Sequence, residues 1–154
     1  MAYLRELYEE TILDHNRNPR NFMSVPEGGN RHAHGFNPVC NDEFTVHLRV
    51  EDGIIKDAGF EGAGCAISTA SASLMTESIK GKTEAEVGEL LQGVHNMLME
   101  QGDAGDVGKL AVLAGVREYP MRIKCATLPW HTLRAALDRK QETVSTEPGN
   151  NDRE

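Results

Sequence analysis

The chain has 154 residues, 39% of them hydrophobic, and carries 16 Lys and Arg against 24 Asp and Glu for a formal charge of −8. That length suits one core, domains being typically about 100 to 150 residues; no apolar run approaches the ~20 residues that span a bilayer, and the scattered cations leave no basic face for a nucleic-acid backbone. Membrane and nucleic acid are set aside as partners, and the acids Glu6, Glu9 and Glu10 interrupt what an export signal would need, so the expected location is cytoplasmic.

Leu4, Leu7, Tyr8 and Ile12 fall on one helical face, which predicts a first helix over 3–16 that stops at Asn18-Pro19. From Asn21 to Asn41 the chain is rich in Gly, Asn, Pro and His and reads as loop or short irregular strand. Phe44, Val46, Leu48 and Val50 then alternate with Thr45, His47 and Arg49, and Glu51-Asp52-Gly53 turns the chain into Ile54 to Phe60, predicting an antiparallel hairpin. The small residues from Cys65 to Met75 suit a closely packed helix ended by Gly81. Thr83 and Glu86 have the spacing of a capping box ahead of the stripe Val87, Leu90, Leu91, Val94 and Leu98. Gly102 to Gly108 reads as a connector, 109–116 as a short helix, and Pro129 to Lys140 as a helix with Trp130, Leu133 and Leu137 inward. Residues 1–140 are read as a single domain, and 141–154, which lack an apolar pattern, as a disordered tail.

Three cysteines remain to be explained, an odd number that in a reducing compartment points to metal binding or reactivity rather than to disulfides. Cys40 precedes the first strand in a polar turn, Cys65 opens a helix after Gly62 and Gly64, and Cys125 follows Arg122-Ile123-Lys124. Buried packing cysteines sit on apolar faces, and none of these does. No CxxC pair exists, so a shared site must be assembled by folding. Asp42, two residues after Cys40, points to the same side of an extended segment and completes a tetrahedral set for Zn²⁺ with the three thiolates. The histidines compete for that fourth place: His15, His47 and His95 fall on elements and read as packed or solvated, His131 as a surface residue, and His32 and His34 precede Cys40 in the irregular segment, from which they could approach the site.

At these residues the chain resembles the NifU/IscU-type iron–sulfur cluster assembly family, and most closely its SufU branch. The resemblance runs over 3–140 and is carried by Ile12-Leu13-Asp14-His15-Asn16-Arg17-Asn18-Pro19-Arg20-Asn21, Asn37-Pro38-Val39-Cys40-Asn41-Asp42, Gly62-Ala63-Gly64-Cys65-Ala66-Ile67-Ser68 and Arg122-Ile123-Lys124-Cys125-Ala126-Thr127-Leu128-Pro129-Trp130. Lys124 stands where the scaffold branch has His, and the interval from Cys65 to Cys125 holds the extra residues of the SufU branch. Asn41 replaces the family's glycine, a substitution compatible with a left-handed turn. The resemblance implies an α+β fold, a three-stranded antiparallel sheet packed with about five helices, with a metal site of Cys40, Asp42, Cys65 and Cys125 at one end.

It also implies a partner, a pyridoxal-phosphate cysteine desulfurase that holds sulfur as a cysteine persulfide, and beyond it other SUF-type assembly proteins. On this reading the chain is a zinc-dependent sulfurtransferase, with Cys40 the expected sulfur acceptor and Cys125 the runner-up because Lys124 and Arg122 favour its thiolate. Two alternatives stay open: a non-enzymatic scaffold holding iron as a [2Fe–2S] cluster on the same ligands, and a structural zinc protein.

Overall fold

A computed structural model describes residues 2–38, 41–102, 105, 107–138 and 143–145. The order is α1 (Ala2–Arg17), β1 (Arg31–Asn37), β2 (Asp42–Glu51), β3 (Ile54–Ala63), α2 (Ala66–Ile79), α3 (Glu84–Met99), a 3₁₀ segment (Gly108–Glu118), α4 (Pro120–Leu137) and β4 (Thr143–Ser145). Strands β1, β2 and β3 form the expected antiparallel sheet, with β2 central. The hairpin turn has Asp52 at φ 55° and Gly53 at φ 74°, two consecutive left-handed residues as a type I′ turn requires.

Three elements differ from the sequence reading. The segment before Cys40 contains a seven-residue strand, β1, whose inward positions are Arg31, Ala33, Gly35 and Asn37. None is a large apolar residue, so no alternation announced it. Arg31 is nevertheless buried because its guanidinium pairs with Glu84 Oε1 at 3.2 Å and donates to Leu137 O at 3.0 Å. Gly35 is required here: a Cβ would lie 1.9 Å from Thr132 Oγ1 of α4. Beyond residue 140 the sequence offered no strand, yet β4 adds a parallel edge to β1, pairing Gly35 with Val144.

The last helix begins at Pro120, nine residues before the predicted start, and Pro129 lies inside it. Pro120 sits at a first-turn position where a missing amide costs nothing, whereas Pro129 brings no proton to the carbonyl four residues back. Beside this proline α2 braces the helix, where Ser71 Oγ donates to Ala126 O at 2.7 Å and accepts from Trp130 Nε1 at 3.0 Å.

Helix α2 is buried on most sides, and the hydroxyls of Ser71, Ser73 and Thr76 are engaged by neighbouring segments. Ser73 Oγ takes a hydrogen bond from the Arg20 amide at 2.8 Å and bonds His15 Nδ1 at 2.7 Å, while Asn21 Nδ2 donates to Thr76 Oγ1 at 3.1 Å. The segment Asp14 to Asn21 thus docks the end of α1 onto α2, and His15, which its helical position left open as packed or solvated, is packed. Helix α3 has the full Thr83/Glu86 capping box. One buried cluster joins Tyr8 and Ile12 of α1, Phe44 to Val50 of β2, Ile55 and Phe60 of β3, Leu74 and Met75 of α2, Val87 to Leu98 of α3 and Leu128 to Ala136 of α4. Among the described residues no helix is long and apolar enough to cross a membrane.

Candidate metal centre

Three separate elements deliver the site. Asp42 opens β2, Cys65 is the N-cap of α2, and Cys125 lies within the second turn of α4. Their ligand atoms all fall within 4.8 Å of one another, and no other group of three or more His, Cys, Asp or Glu does so among the described residues. Cys40, the fourth expected ligand and the expected acceptor, lies outside the described residues. The sequence placed Cys125 between elements; it is on a helix and fully buried.

Backbone geometry explains the glycines around Cys65. Gly62 has φ 131°, and a Cβ there would meet Glu43 O at 2.1 Å. At Gly64 a Cβ would lie 2.5 Å from Ser68 Oγ, 2.7 Å from Phe44 Cζ and 2.9 Å from Asp42 Oδ1. Only glycine lets the β3–α2 turn pass this close to β2. Asn41 takes φ 63°, so it does adopt the left-handed conformation that a glycine would supply, and Asp42 turns inward behind it.

Asp42 is fully buried, and its two oxygens have different fates. Oδ1 accepts the Cys65 amide at 2.8 Å. Oδ2 is buried with no hydrogen-bond partner among the described residues. An orphaned carboxylate oxygen costs on the order of 1 to 3 kcal/mol or more, and here it belongs to a carboxylate that lies within 4.8 Å of two thiol sulfurs. Two thiolates and a carboxylate are a donor set that zinc or an iron–sulfur cluster accepts. The residues present therefore fit such a group.

Cys65 is tuned as a thiolate. Its thiol is lowered to about 5, first by a hydrogen bond with the Cys125 thiol and then by the Ser68 amide and hydroxyl, against opposing effects from burial and from Asp42. The Ser68 amide lies 3.5 Å and its hydroxyl 3.6 Å from Cys65 Sγ, the arrangement of a helix N-terminus stabilising an anion. Asn37 Nδ2 donates to Cys125 Sγ at 3.8 Å, and Asn37 pairs with Asp42 across β1 and β2. Sequence reasoning carried Asn37 within a motif but gave it no role; its signal was a polar residue three positions before Cys40.

Tyr8 also borders the site. Its ring packs against Gly115 and stacks on Tyr119 with centroids 6.5 Å apart, and its hydroxyl is buried without a partner among the described residues. Burial first, then the neighbouring Tyr119 and Cys65, push that phenol up to about 12. The histidines do not approach. His32 and His34 alternate with the inward residues of β1 and so face the opposite side of the sheet from α4 and Cys125.

The region 7–126 matches the NifU-like N-terminal domain. Over 134 residues the chain is 40% identical to the iron–sulfur cluster assembly scaffold protein IscU of Thermotoga maritima, covering 86% of this chain and 94% of that protein. It is 38% identical over 143 residues to the zinc-dependent sulfurtransferase SufU of Bacillus subtilis, covering 91% and 95%. A crystal structure from Fervidobacterium islandicum AW-1, described as a scaffold protein for the SUF system, superposes with a TM-score of 0.77 at 36% identity over 86% of this chain and 97% of that one. By domain, sequence and fold together, the chain belongs to the NifU/IscU-type family of iron–sulfur cluster assembly proteins, with SufU proteins among its near relatives.

Proposed function

We propose that this chain is a zinc-bound sulfur acceptor that takes persulfide sulfur from a pyridoxal-phosphate cysteine desulfurase in the cytoplasm. The observation that carries the reading is the buried Asp42 carboxylate, whose Oδ2 has no partner among the described residues, grouped within 4.8 Å of Cys65 and Cys125. Asp42, Cys65 and Cys125 would hold the metal together with Cys40. Zinc bound there would keep its thiolate ligands deprotonated at neutral pH.

The chain's own residues supply the rest. Cys65 is already disposed to be a thiolate by Ser68 and Cys125. Cys125 is fully enclosed, which favours an anchoring role for it over acceptance. Cys40 is the proposed acceptor, two residues in sequence from Asp42, whose carboxylate is the ligand that solvent replaces most readily. Its thiolate attacks the outer sulfur of the donor's persulfide; a new S–S bond forms on Cys40, the donor's S–S bond breaks, and the electron pair leaves with the donor thiolate. No oxidant is consumed. The similarity to SufU of Bacillus subtilis, named as zinc-dependent, supports this reading over the scaffold one, as does Lys124 at the position of the scaffold branch's histidine. The scaffold reading retains the support of the IscU relative.

Incubation with a desulfurase and cysteine, followed by mass spectrometry, should place ~32 Da, one sulfur, on Cys40. Cys40→Ser should abolish stimulation of the desulfurase, whereas Asp42→Ala, which keeps every thiol, should recover it once zinc is restored. Label confined to Cys125 would transfer the acceptor role to that residue. No label on any cysteine, alongside a stable reconstituted [2Fe–2S] cluster, would replace this proposal with the scaffold.

A further inference from the structure

The face of the sheet opposite the cysteines carries a second group of metal-binding side chains that sulfur chemistry does not use. His32 of β1 and His47 of β2 are direct cross-strand partners. Their Nδ1 atoms lie 2.7 Å apart, with the rings crossed at 74° and centroids 4.9 Å apart. On the far side of His47, Nε2 bonds Glu61 Oε2 of β3 at 2.7 Å. His47 is 8% exposed, while His32 is open to solvent.

The carboxylate fixes the tautomer. Glu61 can only accept, so neutral His47 holds its proton on Nε2 and presents the Nδ1 lone pair to His32. This is the arrangement in which a carboxylate orients a metal-ligating histidine. His32 then fills the contact by donating its own Nδ1 proton; moving that proton to Nε2 leaves two lone pairs facing each other across the contact, which an ion beside the pair takes up as the rings swing toward it, with no net proton released.

We infer that His32 and His47 form a second metal site, for a divalent first-row transition ion bound by two adjacent imidazoles, with Glu61 orienting His47. With metal–nitrogen bonds of ~2.1 Å, neighbouring ligands at right angles stand about 3.0 Å apart, whereas a tetrahedral pair stands about 3.4 Å apart. The pair at 2.7 Å needs to open by a few tenths of an ångström, with the exposed His32 ring swinging toward the ion, for the first, so the site suits an octahedral or tetragonal ion such as nickel(II) better than tetrahedral zinc. No third His, Cys, Asp or Glu joins the two nitrogens within 4.8 Å among the described residues, so water or an outside ligand fills the remaining positions.

Nickel(II) titrated calorimetrically into the purified full chain, with the thiols counted and the near-ultraviolet spectrum recorded, tests this independently of the cysteine site. Uptake of a single ion is expected without a thiolate-to-nickel charge-transfer band and without loss of thiols. His32→Ala, at an exposed position, should weaken it at least about tenfold; Glu61→Gln, which leaves both ligands in place, should also weaken it, within the roughly 10- to 100-fold typical of outer-shell partners. His47→Gln should match His32→Ala wherever circular dichroism shows it folded. Unchanged affinity in His32→Ala, or uptake accompanied by the charge-transfer band, overturns the site.

Discussion

The backbone amide of Cys65 donates to Asp42 Oδ1 at 2.8 Å, across 23 residues of sequence. That bond ties the start of α2 to the start of β2 and leaves Oδ2, which has no hydrogen-bond partner among the described residues, available to a metal. One carboxylate therefore has two separable jobs, positioning through Oδ1 and ligation through Oδ2. Substitutions can distinguish them.

Asp42→Asn can keep its carbonyl oxygen on the Cys65 amide while placing an NH₂ group where Oδ2 was. Asp42→Ala removes both and strands the amide, at a cost of about 1 to 3 kcal/mol. In chelator-treated protein the Ala variant should melt below the Asn variant, by roughly 2 to 4 °C per kcal/mol for a chain of this size. Both should retain zinc less well than the parent. Coincident melting curves would show that Oδ1 has no positioning role.

Tyr8 makes the opposite case, a polar group whose loss should help. Its hydroxyl is buried without a partner among the described residues, and Phe fills the same space without a group to desolvate. Tyr8→Phe should therefore raise stability by about 1 kcal/mol, read as a higher urea midpoint at unchanged slope. A lower midpoint would mean that the hydroxyl is satisfied.

How much of this was visible in the sequence depends on what each element buries. The β2–β3 hairpin and α3 were legible because Phe44, Val46, Leu48 and the Thr83/Glu86 box repeat at the period of their own structure. Strand β1 was not, because Arg31, Gly35 and Asn37 face inward for reasons set by Glu84, Thr132 and Cys125, all far away in sequence. Pro129 read as a helix start because a proline in a helix interior normally ends it; the Ser71 bonds that accompany the exception belong to another helix. Asp42, Cys65 and Cys125 were identified as a set from their residue types and the family resemblance, and the structure brings those three together. The Asn37 contact and the orphaned oxygen are products of tertiary placement, and no local pattern encodes either.

Ser71 offers a direct test of the α2–α4 junction beside Cys125. Its hydroxyl donates to Ala126 O and accepts from the indole of Trp130, the only tryptophan in the chain. Ser71→Ala leaves the buried indole N–H unsatisfied and removes a second donor from Ala126 O, which should cost about 1 to 3 kcal/mol. Because the fluorophore is unique, its emission should shift in the same variant. Unchanged emission together with unchanged stability would show that the junction is held by apolar packing alone.

The last prediction separates a working metal site from a structural one by removing the metal. The ligands come from β2, α2 and α4, and each is held by contacts that need no ion: Asp42 by the Cys65 amide, Cys65 by Ser68, and Cys125 by Asn37. The apolar cluster beneath them draws on α1, β2, β3, α2, α3 and α4. Small zinc domains that unfold on metal loss lack such a core. Protein purified without added metal should hold a single zinc with sulfur neighbours at ~2.3 Å by X-ray absorption. After chelation it should stay folded, with native circular dichroism and a cooperative but lower melting transition. The drop reflects two thiols and a carboxylate left close together, and mass action predicts that it reverses on adding zinc. Cys65→Ser and Cys125→Ser should lose zinc more completely than Asp42→Ala, because water can replace one carboxylate oxygen but supplies no thiolate. Collapse of the fold on chelation would make the metal a structural staple, and equal zinc loss in all three variants would give Asp42 more than one coordination position.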